Sequence, residues 1–178
     1  MARQISFNPL SVSDINKAIE DLMEYKKELN EKIDIFVKKL AEKGVEMAKD
    51  KISTYQAIDT GELIDSISLK EGDVIKNGSS YIIYTDCEYA SFIEFGTGVF
   101  GEGTYPREFP DDVDWEYASG PCVFTRKDGK TGWYYPTKEG GYRFTQGYPS
   151  RPFMTETAIM LSMDIVDVAK EVFGGDSY

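Results

Sequence analysis

Few side chains in this sequence could do chemistry, and their types limit what the protein could catalyse. The 178 residues include no histidine. Histidine is the commonest general base and metal ligand, so its absence excludes Ser-His-Asp and Cys-His catalysis and most zinc chemistry. Cys87 and Cys122 lack C-x-x-C spacing, so we expect two free, half-buried thiols. We expect no catalytic residue, bound metal or cofactor.

Carboxylates are the remaining candidates for catalysis. Glu94 lies between Ile93 and Phe95, and a carboxylate in such apolar surroundings is either an acid with a raised pKa or the partner of a backbone amide or an arginine. The structural role is favoured because the sequence places no second acid or nucleophile beside Glu94. Arg151 is one candidate partner. A metal-dependent hydrolase is the catalytic alternative, and it would use Asp59, Glu62, Glu94 and Asp111.

The overall composition indicates a folded protein that avoids nucleic acid. Hydrophobic residues make up 41% of the chain, close to the globular average. The net charge of -11 would repel a phosphate backbone, so direct nucleic-acid binding is not expected. The first ten residues lack the apolar run of a secretion signal, and no stretch has the length of a membrane span. We therefore expect no membrane association.

Hydrophobic spacing predicts two amphipathic helices and a set of short strands between them. Apolar residues at steps of three, four or seven predict a long helix over 13–55, with Ser13 as its N-cap and Gly44 as the point where it could kink or divide. Three short antiparallel strands follow between residues 66 and 86, with Asn77-Gly78 as a hairpin turn. A short helix is expected at 89–95 and a C-terminal helix at 152–173.

The region between the last two helices reads as a long loop followed by β structure. Asp128-Gly129 is a strong hairpin signal, and residues 141–145 could add a third strand. The fold class is therefore α+β, with both long helices packed on an antiparallel sheet. We expect one domain over 1–178, with a flexible N-terminus at 1–12 and an insertion at 98–146.

Three short motifs occur in order along the chain: DTGELIDSI at 59–67, YASFIEFGTG at 89–98 and GYPSRPFMTETA at 147–158. Together they resemble the gene-ten-product-like family of long-tailed bacteriophages, which are minor tail-component or neck (head-tail joining) morphogenesis proteins. A single DTG also occurs in aspartic proteases, but those enzymes need two such loops. The matching motif residues are Asp59, Thr60, Gly61, Leu63, Ser66, Tyr89, Ala90, Glu94, Phe95, Gly96, Thr97, Arg151, Pro152 and Phe153.

The resemblance implies a non-catalytic structural protein of a tailed phage or prophage that acts at the neck in head-tail joining or tail completion. Its expected partners are further copies of itself in a ring, the connector or head-completion proteins, and tail proteins. The expected location is the virion, with the host cytoplasm as the site of assembly. Ring formation requires head-to-tail contacts that close by rotation.

The segment 100–135 carries more aromatic side chains than a surface loop usually shows. Aromatic residues are enriched at protein interfaces because they bury a large area, so this segment is expected to meet a neighbouring subunit or another phage protein. A small satellite core is the alternative interpretation of the same residues. A carbohydrate- or peptide-binding module is an alternative function. The interface candidates are Trp115, Tyr117, Trp133, Tyr134 and Tyr135.

Overall fold

A computed structural model describes residues 5–57, 61–73, 78–117, 122–137 and 140–174. Long helices lie near both ends of this part of the chain, and short helices and strands lie between them. This mixed α+β content confirms the predicted fold class. In chain order the elements are α1 Val12–Thr54, α2 Glu62–Ser66, β1 Ser68–Glu71, β2 Tyr81–Tyr84, α3 Ala90–Phe95, α4 Gly98–Gly101, β3 Phe124–Thr125, β4 Thr131–Pro136, β5 Tyr142–Thr145 and α5 Phe153–Phe173.

The chain forms two compact units. The first contains Met1–Val45, Leu69–Ile83 and Met160–Tyr178, and so holds most of α1, the first sheet and the second part of α5. The second contains Glu46–Ser68 and Tyr84–Ile159, which include the second sheet and the short helices.

The N-cap of helix α1 lies two residues earlier than predicted. The hydroxyl oxygen of Ser11 accepts a hydrogen bond from the Asp14 amide at 3.3 Å, and the Ser11 carbonyl accepts the Ile15 amide at 3.0 Å. Ser11 is therefore the N-cap, and the prediction that Ser13 fills this role was wrong. Asp14 supplies an acidic first turn, which favours the positive end of the helix dipole.

Helix α1 continues without a break through Gly44, and the lack of a side chain there allows close packing. A β-carbon at this position would collide with the Ile83 side chain and would lie 3.1 Å from Leu161. The helix therefore does not divide at Gly44, one of the two outcomes that the sequence allowed. The missing side chain instead lets α1 approach β2 and α5 closely within the first unit.

Aromatic packing and ion pairs join α1 to α5 in the first unit. The rings of Phe36 and Phe173 lie 5.7 Å apart. Lys43 binds Asp164 at 2.7 Å, and Lys39 forms a further ion pair with Glu171. These contacts bring together helices that are far apart in sequence.

The second unit has its own apolar core, in which Phe153 is only 1% exposed. The first residue of α5 therefore anchors the helix in this core. Ile52, Leu63 and Ile67 are also fully buried. Helix α2, whose five residues carry Leu63, was not predicted, because one turn is too short to show a helical period.

Both sheets are small and antiparallel. β1 pairs with β2 in the first sheet, and the predicted strand at Val74–Ile75 lies outside the described residues. The second sheet has the order β3-β4-β5, with Phe124 opposite Gly132 and Tyr134 opposite Phe144. Gly129 has a φ of 82° in the β3-β4 turn, as the predicted Asp-Gly hairpin requires.

Candidate functional site

The second and third motifs form one contact site in the second unit, although about fifty residues separate them in sequence. Thr97 and Tyr148 make a two-residue antiparallel bridge, with amide-to-carbonyl distances of 2.9 and 3.0 Å. The Arg151 amide donates to the Ile93 carbonyl at 2.8 Å, and the Ser150 hydroxyl donates to the Glu94 carbonyl. The residues of the second and third motifs are therefore neighbours in space.

Glu94 lies at the centre of this contact and is 6% exposed. Its two carboxylate oxygens accept hydrogen bonds from the backbone amides of Met154 and Thr155, both at 2.9 Å. These amides belong to the first turn of α5, where no carbonyl of the helix itself can accept them. A carboxylate there also interacts favourably with the helix dipole. Glu94 thus caps a helix that begins almost sixty residues later.

The sequence left two possible partners for the Glu94 carboxylate, a backbone amide or an arginine. The structure selects the backbone amides, and Arg151 contributes its own amide to Ile93 instead. Burial raises the pKa of the Glu94 carboxyl above its ordinary value, and the hydrogen bonds from Thr155 and Met154 oppose that rise.

A second carboxylate, Glu156, lies in the same first turn of α5. It binds the Lys51 ammonium at 2.6 Å and accepts a hydrogen bond from the Tyr55 hydroxyl at 2.5 Å. The hydrogen bonds from Lys51 and Tyr55 hold the pKa of Glu156 below its ordinary value. Burial, together with the hydrogen bond to Glu156, raises the pKa of Tyr55 to about 12. Glu94 and Glu156 therefore each have structural partners, which suits helix anchoring better than acid-base chemistry.

Only part of the first motif is described, because Asp59 and Thr60 lie outside the described residues. Gly61 has a φ of 87°, a left-handed conformation that residues with a β-carbon adopt poorly. Leu63 is buried. The Ser66 hydroxyl donates to the Leu63 carbonyl at 2.8 Å and also contacts the Thr85 hydroxyl at 2.6 Å. The described part of the motif forms a turn and a short helix.

The remaining motif positions shape the end of α3 and its surroundings. Ala90 is buried, and its amide donates to the Cys87 carbonyl at 3.0 Å, while Tyr89 is half-buried. Gly96 has a φ of 82°, and a β-carbon there would lie 2.7 Å from the Ser150 amide nitrogen. Cys87 and Cys122 are both free, as expected, but Cys87 is buried and Cys122 exposed, so the half-buried prediction was wrong for both.

Six rings form what we call the inner aromatic cluster: Phe92, Phe95, Tyr105, Phe109, Trp115 and Tyr117. Phe95 is its centre, with ring centroids 5.0 Å from Tyr105, 5.4 Å from Phe109 and 5.2 Å from Trp115. The indole nitrogen of Trp115 donates to the Gly96 carbonyl at 3.1 Å. Trp115 and Tyr117, two of the interface candidates, therefore pack against rings of their own chain.

Three further rings form the sheet cluster, which lies on one face of β3-β4-β5. Phe124, Tyr134 and Phe144 have centroids 5.4–6.0 Å apart, and the Arg126 guanidinium lies 4.8 Å above the Phe144 ring. Phe124 is 41% exposed and Tyr134 is 49% exposed. The sequence analysis did not single out Phe124 or Phe144. Side chains alternate between the two faces of a strand. Aligning the strands across the Asp-Gly turn and following this alternation could have identified both residues.

The other two interface candidates on β4, Trp133 and Tyr135, alternate with Tyr134 and are half-buried. A β-carbon at Gly98 would come within 2.9 Å of the Trp133 ring, so this indole packs closely on α4. Tyr135 forms a side-chain hydrogen bond with Tyr148. The pKa of the Tyr148 hydroxyl is raised, mainly by burial and also by the neighbouring Tyr135. Of the five interface candidates, only Tyr134 is classed as exposed.

The carboxylates considered for a metal hydrolase do not form a ligand cluster in the described part of the chain. Glu94 binds amides, Asp111 is exposed, and Asp59 lies outside the described residues. Among the described residues, no three His, Cys, Asp or Glu side chains are placed to hold a metal ion. The described helices also include none with the length and apolar character needed to cross a membrane.

Comparison with known proteins supports the resemblance drawn from the motifs. No curated protein and no solved structure matches the chain. Residues 16–96 match the family model HK97-gp10_like, described as "Bacteriophage HK97-gp10, putative tail-component". The matched segment includes the first motif and most of the second, and it ends at Gly96, before the third. The resemblance to a bacteriophage tail-component family is thus confirmed over residues 16–96.

Proposed function

We propose that this protein is a non-catalytic structural component of a tailed bacteriophage or prophage, and that it acts at the neck in head-tail joining or tail completion. The observation on which this proposal mainly depends is the match of residues 16–96 to a phage tail-component family. The geometry extends that support, because the third motif lies outside the matched segment and is hydrogen-bonded to the second.

The roles of the motif residues favour a structural protein. Glu94 caps α5, Phe153 fills the core of the second unit, and Gly61 and Gly96 occupy positive-φ positions. These roles within the fold support a non-catalytic, structural protein. The acidic net charge of -11 also suits a component of a conduit through which DNA passes, because it disfavours binding of the DNA backbone.

The sheet cluster is the best candidate for the surface that meets a neighbouring subunit or a tail protein. Its rings are large and partly exposed, and Arg126 beside them adds a residue type that is enriched at interfaces. In this proposal the protein forms a ring by head-to-tail contacts, binds connector or head-completion proteins and tail proteins, and is located in the virion after assembly in the host cytoplasm.

Deletion of the gene in the phage or prophage that carries it tests this function. Electron microscopy of the lysate should show filled heads and free tails that are not joined, and the wild-type gene supplied in trans should restore complete particles. Normal particles from the deletion strain would contradict the neck assignment.

Complementation with point variants tests the surface. The double variant Phe124→Ala with Tyr134→Ala should fold but fail to restore complete particles. Phe100→Ala is the matched control, because Phe100 is 54% exposed in the same unit and lies outside both clusters. Full complementation by the double variant would place the interface elsewhere.

A carbohydrate- or peptide-binding module is the second candidate, and the exposed rings of the sheet cluster are the observation in its favour. Aromatic side chains also line small-ligand sites and the grooves that bind extended peptides. To distinguish the two functions, the protein can be titrated with host cell-wall oligosaccharides while its tyrosine resonances are monitored in NMR spectra. Saturable shifts confined to Tyr134 and its neighbours would favour the binding module.

A further inference from the structure

The sheet cluster lies in a basic part of an acidic protein. Residues 124–136, which form β3, β4 and the turn between them, carry three cations and one carboxylate, whereas the whole chain has a net charge of -11. The three cations, all exposed, are Arg126, Lys127 and Lys130. Arg126 is paired with Asp128 at 3.6 Å and lies above the Phe144 ring. Positive charge therefore borders the rings of the cluster.

The rings of the sheet cluster point away from α4. Trp133 packs on α4, where a β-carbon at Gly98 would lie 2.9 Å from its ring. Tyr134 is the next residue along β4, and successive side chains of a strand point to opposite faces. Tyr134 therefore shares with Phe124 and Phe144 the face of the sheet opposite α4, where Phe124 is 41% exposed and Tyr134 is 49% exposed.

The complementary charge lies in the same unit, on residues 102–117, which we call the acidic loop. The loop carries six carboxylates and one arginine. In the described part of the chain, none of these carboxylates forms an ion pair. An apolar residue adjoins them, because Phe92 is 50% exposed and its ring lies 5.4 Å from that of Trp115 in the loop. The six acidic residues, all exposed, are Glu102, Glu108, Asp111, Asp112, Asp114 and Glu116.

The basic face and the acidic loop lie on different sides of the second unit. The loop ends against α4, where the Tyr117 carbonyl accepts a hydrogen bond from the Gly98 amide. Since α4 lies on the Trp133 side of the sheet, the end of the loop is on that side too, and the sheet cluster points the other way. Opposite charges on two sides of one unit are suited to a contact between two copies of it.

We propose that the sheet cluster and its basic border dock on the acidic loop of a second copy of this chain. In this contact the three cations face the carboxylates of the loop, and the rings cover Phe92 of the partner subunit. A second copy is favoured over another phage protein because every copy carries both surfaces, and each surface has the charge that the other lacks.

The contact joins two different surfaces, so it is head-to-tail, and its repetition closes a ring or continues as a filament. The inference rests on the proposed function, in which copies of the protein form a ring, and it names the surfaces that meet there.

Sedimentation velocity of the purified full-length protein at low ionic strength measures the association. The wild type should associate, and added salt should weaken the association because it screens exposed charges. One variant, Lys127→Glu with Lys130→Glu, reverses the sheet, and a second, Asp111→Lys with Asp112→Lys, reverses the loop. Each should associate at least about tenfold more weakly, since like charges then meet in the contact.

Matched controls make the same changes of charge at exposed sites on α1 and should associate as the wild type does. Circular dichroism should be unchanged in all variants, because every altered residue is exposed. Asparagine at both loop positions, or glutamine at both sheet positions, should give a smaller loss in the same direction and replaces a reversed variant that does not fold. The control pairs are Lys17→Glu with Lys32→Glu and Glu20→Lys with Glu42→Lys.

Mixing the two reversed variants is the sharpest measurement. In the mixture, the unaltered sheet of the loop variant meets the unaltered loop of the sheet variant, and the two reversed surfaces also carry opposite charges. An equimolar mixture should therefore regain the wild-type mass, although neither variant associates alone. A monomeric wild type, unchanged association of either variant, or a mixture that stays dissociated overturns the proposal.

The deletion strain tests the neck role separately. Unjoined heads and tails from that strain, together with a mixture that stays dissociated, would overturn this contact and leave the neck role standing. Normal particles from the deletion strain, together with a mixture that associates, would contradict the neck role and leave the contact standing.

Discussion

The inner aromatic cluster and the sheet cluster are built from the same residue types in neighbouring parts of the chain, yet they are arranged for different purposes. Phe95 is half-buried and surrounded by three rings, and the Trp115 indole satisfies a backbone carbonyl. Phe124 and Tyr134 instead lie on a face of the sheet where nearly half of each residue is exposed to solvent. Aromatic content alone therefore does not identify an interface.

The difference lies in what the backbone offers each ring. The inner cluster forms around α3, where Gly96 and Gly101 allow close approach: a β-carbon at Gly101 would lie 3.1 Å from Tyr117. The sheet cluster lies on the face of β3-β4-β5 opposite Trp133, where Phe124 and Tyr134 are 41% and 49% exposed in the described part of the chain. The first arrangement stabilises the fold, and the second is available to a partner.

The largest expected effect separates the clusters by stability. Phe95→Ala removes the ring at the centre of the inner cluster and should lower the free energy of unfolding by about 3 kcal/mol, toward the lower end for a phenylalanine truncation because the site is half-buried. Urea denaturation monitored by tryptophan fluorescence measures this loss. A change below about 1 kcal/mol would mean that the inner cluster contributes little to the fold.

A smaller effect is expected at the residue that links α3, which carries Phe95, to α5. Glu94→Gln retains one acceptor oxygen but leaves the Met154 or Thr155 amide facing a donor, so unfolding free energy should fall by about 2 kcal/mol. Thermal melts give the measurement, and Glu88→Gln on the exposed surface nearby is the control. Equal stability of wild type and Glu94→Gln would show that the cap is energetically unimportant.

A third substitution isolates the hydrogen bond that holds the inner cluster to the backbone. Trp115→Phe keeps an aromatic ring but loses the donor to the Gly96 carbonyl, so it should cost about 1 kcal/mol. The midpoint of chemical denaturation checks this value. Trp133→Phe is the comparison, because no hydrogen bond to Gly96 is at stake there, and a larger loss from Trp133→Phe would reverse the ranking.

Local chemistry made some of this structure predictable. Asp128-Gly129 by itself predicts a tight turn. Pro152-Phe153 predicts the start of a helix whose first residue is apolar and buried. Both features could be predicted from a few adjacent residues. The existence of α1 also followed from its period. These features depend on interactions within one element.

Other features depend on residues far apart in sequence, and the sequence could not supply them. Glu94 had two possible partners until the chain brought the amides of Met154 and Thr155 to it. The α1 pattern predicts an apolar face but does not say that Phe36 on that face packs against Phe173 of α5. Trp115 and Tyr134 look alike as interface candidates, and only the packing around each distinguishes them.

The smallest expected effect on stability is also the sharpest test of the comparison. Phe124→Ala combined with Tyr134→Ala should change the free energy of unfolding by less than about 1 kcal/mol, because Phe124 is already 41% exposed and Tyr134 49% exposed. The folded variant should nevertheless lose the partner contact that the proposed function assigns to the sheet cluster, since exposed aromatic residues dominate binding energy when a partner covers them. Calorimetry of the purified protein gives the first quantity, and the yield of complete particles in complementation gives the second. A large loss of stability would make the sheet cluster a second satellite core, similar in kind to the rings around Phe95. Unchanged stability together with unchanged particle yield would place the partner contact on another surface of the protein.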